Sequence, residues 1–200
     1  MDRKKIVRMV QVKRLRKAAQ EDSSSLNIVR KPEGEVDKIN IIYLFPGRNE
    51  NIAPGFAAKV PNNYMVVVPK VGNGYSAVSS EVLKIINSDD KLSGKEFGRK
   101  IIYGFSAGGY RVLQSPMAEF NEIVLADPFV AEGQQSMSLQ IEKTIFLYNP
   151  TNWGGDLIEV GMRLEELSKN NKDLGVKIMS PIPGSNHDDI AKQAFSFISF

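Results

Sequence analysis

The run Gly104-Phe105-Ser106-Ala107-Gly108-Gly109 holds the residue types that activate a serine, and it directly follows the apolar stretch Lys100–Phe105. The pattern G-x-S-x-G, where a buried strand turns into a helix, is a nucleophile elbow. Such a turn is so tight that the serine takes a strained backbone conformation. Residues two positions to either side must then lack bulk, a need that Gly104 and Gly108 meet. The serine projects above the sheet edge as a nucleophile, and the Ala107 N–H points at the oxygen of an attacked carbonyl. Two other readings of a glycine-rich strand-to-helix turn are close packing and a phosphate cradle. The run carries no P-loop lysine and does not match G-x-G-x-x-G, which weakens the phosphate reading.

The elements that must carry this turn are legible as an alternation. Short apolar, β-branched runs occur at Ile39–Phe45, Tyr64–Val68, Lys100–Phe105, Glu122–Ala126, Thr144–Tyr148 and Val176–Met179. Runs that are apolar at nearly every position belong to strands buried on both faces, as in a parallel sheet. Between them lie helical patterns. Ser79–Asn87 carries Val82, Leu83, Ile85 and Ile86; Ala107–Ala118 follows the serine turn; Asp156–Asn170 spaces Leu157, Val160, Leu164 and Leu167 helically; Ala191–Phe200 follows the last strand. This order predicts an α/β class with a mostly parallel central sheet and helices on both faces. A shorter strand is expected at Leu26–Arg30, before the turn Lys31–Glu35.

On the serine motif and the order of strands, residues 38–200 resemble the α/β-hydrolase fold serine hydrolases, the esterases and lipases. The resemblance implies a minimal member without a cap domain, because only about 17 residues separate Asp127 from the next strand run. It also implies a catalytic Ser-His-Asp triad in the chain order serine, acid, histidine. Ser106 is then the nucleophile. His187, the sole histidine, is the general base, in the loop Pro181–Asp189 before the last helix. Imidazole ionises near neutrality, which suits taking the serine proton and giving it to a leaving group. Asn186 or Asp188 can cap that helix. For the acid, Asp127 in Leu125-Ala126-Asp127-Pro128-Phe129 is preferred. The commoner family position, one strand later, reads Tyr148-Asn149-Pro150-Thr151-Asn152-Trp153-Gly154-Gly155-Asp156, so Asp156 and a neutral Asn152 stay open. The oxyanion hole needs a second N–H, expected from Arg48 in Pro46-Gly47-Arg48, beside that of Ala107. The Arg48 side chain could meet an anionic substrate group or simply face solvent. The loops 49–61 and 71–77 are expected to border the pocket, with Phe56, Tyr75 and Trp153 as candidate substrate contacts.

Composition narrows the remaining classes. One histidine and no cysteine cannot build the usual zinc sets, and a triad needs no cofactor, so neither metal nor cofactor is expected. No apolar run reaches the length of a transmembrane helix, and no signal-peptide core follows the basic start, so a cytoplasmic location is expected. The net charge of +3 hides an asymmetry: residues 1–20 hold eight Lys and Arg against Asp2, while the rest of the chain is net acidic at −4. We therefore divide the chain into a basic arm, 1–37, and a hydrolase domain, 38–200. Residues 3–17 suit an anionic partner such as nucleic acid or lipid, or serve as a solubilising terminus. The leading expectation is cleavage of an ester, or an amide, in a small-molecule or polymeric acyl substrate through an acyl-enzyme. The alternative is a catalytically silent scaffold that binds or assembles through its basic arm.

Overall fold

The computed structural model describes residues 24–48, 52–129, 144–147, 176–179 and 183–200. Seven strands form one sheet: β1 (Leu26–Arg30), β2 (Ile39–Phe45), β3 (Tyr64–Pro69), β4 (Phe97–Phe105), β5 (Glu122–Ala126), β6 (Thr144–Leu147) and β7 (Val176–Met179). Their spatial order is β1-β3-β2-β4-β5-β6-β7. Every neighbouring pair is parallel except β1 with β3, which is antiparallel at the sheet edge. The parallel strands β2, β3 and β5 are buried along nearly their whole length, which is why their sequences are apolar without alternation.

Side chains still alternate between the two faces. Ile39, Ile41, Tyr43 and Phe45 of β2 join Met65, Val67, Ile102, Ile123 and Leu125 in one core. Ile42 and Leu44 join Val66, Val68, Ile101, Tyr103, Phe105, Val124 and Ala126 in the other. The helices α2 (Tyr75–Asn87) and α3 (Ala107–Leu113) cover the first face. The helices α1 (Ile52–Ala57) and α4 (His187–Ser196) cover the second. The α/β class with a mostly parallel sheet and helices on both faces is the observed architecture.

Several boundaries differ from the sequence expectation. Helix α3 stops at Leu113, and a separate 3-10 turn, Met117–Glu119, follows Pro116. Proline lacks the N–H and pushes its predecessor out of the α region, so the helix cannot run on to Ala118. Helix α2 begins at Tyr75, inside the stretch expected to be a pocket loop, and buries Tyr75, Val78, Val82 and Ile86 as one helical stripe. Helix α4 begins at His187 rather than Ala191, because Asn186 and Asp189 form a capping box in which the Asn186 side chain accepts from the Asp189 N–H. The expected helix Asp156–Asn170, the candidates Asn152, Trp153 and Asp156, and the arm residues 3–17 lie outside the described residues. Among the described residues no helix is long and apolar enough to cross a membrane.

Candidate active site

The site lies at the carboxyl edge of the parallel strands, where ligands of open α/β sheets bind. Three segments leave the sheet there, Pro46–Arg48 after β2, Ser106 after β4 and Asp127–Phe129 after β5, and His187 at the start of α4 reaches the last of them.

Ser106 occupies the turn between β4 and α3 with φ of 53° and ψ of −120°. That conformation is strained for a residue with a side chain, at a cost of about 1–3 kcal/mol, and persists only where surroundings over-determine it. Three backbone bonds do so. The Ser106 N–H donates to the Ala126 carbonyl at 3.1 Å, and the Ser106 carbonyl accepts from the N–H groups of Phe129 at 2.8 Å and Tyr110 at 3.4 Å. The turn is thus tied to the end of β5. The flanking glycines are required by close approach. A Cβ on Gly104 would stand 2.6 Å from Val112 Cγ2, and one on Gly108 would stand 2.2 Å from the Phe45 carbonyl oxygen. The need for small residues on both sides of Ser106 is therefore met by contacts with α3 and with the end of β2.

Asp127 is the next residue of the chain beyond β5 and is fully buried, with φ of 41°. Its Oδ2 lies 2.6 Å from His187 Nδ1, across 60 positions of sequence. A buried carboxylate needs a partner, and a short, charge-assisted bond of this kind supplies one. With the carboxylate accepting, Nδ1 carries the proton, and Nε2 is the nitrogen left for proton traffic. Four features hold the imidazole. The capping box fixes the helix start, and the stripe Ile190, Ala191, Ala194 and Phe195 seats α4 on the sheet. The Phe105 ring lies 4.4 Å from the imidazole, centroid to centroid. The buried Tyr103 hydroxyl also donates to the Ala191 carbonyl at 2.9 Å, which pins α4 to β4. Burial pushes the Tyr103 phenol well above its ordinary pKa, so it stays a neutral donor.

Ser106, Ala107, Arg48 and His187 line one cleft of about 250 Å³, together with Phe105, Phe129 and Asp188. The structure thus brings together Ser106, His187, Asp127, Ala107 and Arg48, five residues singled out in the sequence. Two other expectations are corrected. Phe56 is buried and stacks on Phe195, with ring centroids 4.4 Å apart; Tyr75 is buried edge-on against Tyr43 at 5.3 Å. Both are core residues, because the loops assigned to them fold into α1 and α2, whose apolar faces turn to the sheet. The cleft gains three residues that the sequence reading passed over. Phe105 was readable from the motif itself, as the neighbour of Ser106; Phe129 and Asp188 adjoin singled-out residues but carry no pattern of their own.

These features define an α/β-hydrolase fold with its serine turn at the usual edge of the sheet. No protein-family model and no curated protein sequence matches the chain. Among solved structures it is similar to the siderophore hydrolase EstB from Aspergillus nidulans, at 14% identity and a TM-score of 0.50, over 84% of this chain and 85% of that one. It also overlaps Est1E from Butyrivibrio proteoclasticus, at 9% identity and a TM-score of 0.48, over 84% and 90% of the two chains. At such identity the likeness to EstB establishes the shared fold.

Proposed function

We propose that the protein is a serine hydrolase that cleaves an ester through an acyl-enzyme. The observation that carries this reading is the 2.6 Å pair between buried Asp127 and His187, which lines the same cleft as the strained Ser106 turn. In the proposed mechanism, Ser106 Oγ attacks the ester carbonyl carbon while its proton passes to His187 Nε2. The oxygen that gains negative charge is held by the N–H groups of Ala107 and Arg48. When the intermediate collapses, the bond to the alcohol oxygen breaks and that oxygen takes the proton from His187. Water then attacks the acyl-serine, losing a proton to His187. The carboxylic acid departs and Ser106 recovers its proton. Asp127 keeps Nδ1 protonated and stabilises the imidazolium that forms in each half. The Ser106 backbone suits this role, because its bonds to Ala126, Phe129 and Tyr110 fix the turn before substrate arrives and orientation costs less at the moment of reaction.

The test is labelling with a fluorophosphonate probe, which reacts with activated serines. The intact protein is expected to label, while Ser106→Ala and His187→Ala do not. An intact, folded protein that resists the probe would overturn the proposal and leave the silent-scaffold alternative.

A further inference from the structure

We infer that a second cleft beside Ser106 is an acyl-group subsite for a substrate carrying a negative charge, a carboxylate or a phosphate, at the far end of its acyl chain. This inference rests on the hydrolase reading above. The cleft measures about 240 Å³ and shares Arg48, Ala107 and Phe129 with the one that holds Ser106 and His187. Its remaining walls come from the end of β2, the turn after β3 and the first turns of α3. Among the described residues that line it, three are cations, Arg48, Lys70 and Arg111, and none is an acid. This is a local reversal, since residues 21–200 are net acidic at −4. The neighbouring cleft is mixed in charge, with Asp188 as well as Arg48 in its wall.

The guanidinium of Arg111 has two neighbours on its own helix and cap. It lies 5.4 Å over the Tyr110 ring, and its Nη1 donates to Gln114 Oε1 at 3.4 Å. A guanidinium presents a planar fork that matches a carboxylate or phosphate. Arg48 adds a second guanidinium at the boundary between the two clefts, beside the backbone N–H assigned to the oxyanion. Val71 and Phe129 are both exposed, and both line the cleft, so apolar surface is present for the methylene chain that leads to the charge.

The assignment to the acyl side follows from proton transfer. The leaving alcohol must lie beside His187 to receive its proton. The cationic cleft is not lined by His187 and adjoins the reacting centre through Arg48 and Ala107. The acyl group is the part of an ester that extends that way.

The experiment compares two esters that differ only by a terminal methyl or carboxylate: the para-nitrophenyl esters of hexanoic acid and of adipic acid. The intact protein at low salt is expected to favour the adipate by about tenfold or more in kcat/KM, mostly through KM, as one or two charge-assisted bonds would give. Added salt should erode the preference. Arg111→Gln and Arg48→Gln should each lower the adipate-to-hexanoate ratio severalfold. Lys59→Gln, an exposed lysine away from the cleft, should leave the ratio as it is. A ratio at or below one in the intact protein would overturn the inference. So would a ratio that Arg111→Gln and Arg48→Gln, both folded by thermal melt, fail to change. Either result with hexanoate still hydrolysed leaves the hydrolase reading standing. Turnover of neither ester, with no fluorophosphonate labelling, removes both. A charge preference seen instead with para-carboxyphenyl over phenyl hexanoate would overturn the acyl-side assignment.

Discussion

Asp127→Asn tests the core of the proposed mechanism with the least disturbance of shape. The side chains are nearly isosteric, so the buried site stays filled. The charge that faces His187 Nδ1 at 2.6 Å is lost. Two effects follow. An asparagine amide can donate to Nδ1, which moves the imidazole proton to Nε2 and blocks that nitrogen as a base. The imidazolium formed during attack also loses its counter-charge. At a separation of about 4 Å and an effective dielectric of about 20, that attraction amounts to about 4 kcal/mol, or about three powers of ten in rate. The tautomer effect acts in the same direction, so a fall in kcat of about 10³ to 10⁴ is expected. The assay is steady-state hydrolysis of para-nitrophenyl hexanoate, with folding checked by far-UV circular dichroism and thermal melting. Asp156→Asn is the comparator. A folded Asp127→Asn variant that retains more than a tenth of the activity would refute the reasoning. A collapse in Asp156→Asn instead would move the acid to the next strand.

Further expectations concern the scaffold. Gly108→Ala should destabilise the fold by about 1–3 kcal/mol, because its Cβ meets the Phe45 and Pro46 carbonyl oxygens at 2.2 and 2.5 Å; denaturant unfolding reads this directly. Tyr103→Phe should cost about 1–2 kcal/mol in the same measurement, since the Ala191 carbonyl loses its buried donor, and should also reduce kcat by loosening the seat of His187. Glu81 gives a pH effect. Partial burial raises its pKa, but hydrogen bonds from Ser24 and Ser25 outweigh this and leave it below the usual glutamate value. A carboxyl depressed in the folded state stabilises the fold above its unfolded pKa, and that contribution disappears as pH falls through the lower, folded value. Thermal melts should therefore show Glu81→Gln less stable than the intact chain near neutrality, with the gap closing toward acid. An unchanged gap would exclude this carboxylate as the cause.

What could be read from the sequence was local. Apolar runs located the buried parallel strands, because a strand covered on both faces must be apolar at nearly every position. The Ser106 turn was legible for a similar reason, since its constraints come from contacts within a few residues and leave glycines at fixed offsets. The position of His187 after the last strand was legible from chain order. Tertiary structure decided the rest. Asp127 and His187 are 60 positions apart, and nothing local to either shows which acid reaches the imidazole; the pairing depends on β5 and α4 meeting over the sheet edge. Phe56 and Tyr75 show the same limit. Their aromatic character was visible, but whether it faced the substrate or the core depended on α1 and α2, whose apolar stripes turn inward. The cationic cleft is also non-local, because Arg48, Lys70 and Arg111 come from three separate segments. A sequence records what each residue can do. Only the packed sheet determines which residues do it together.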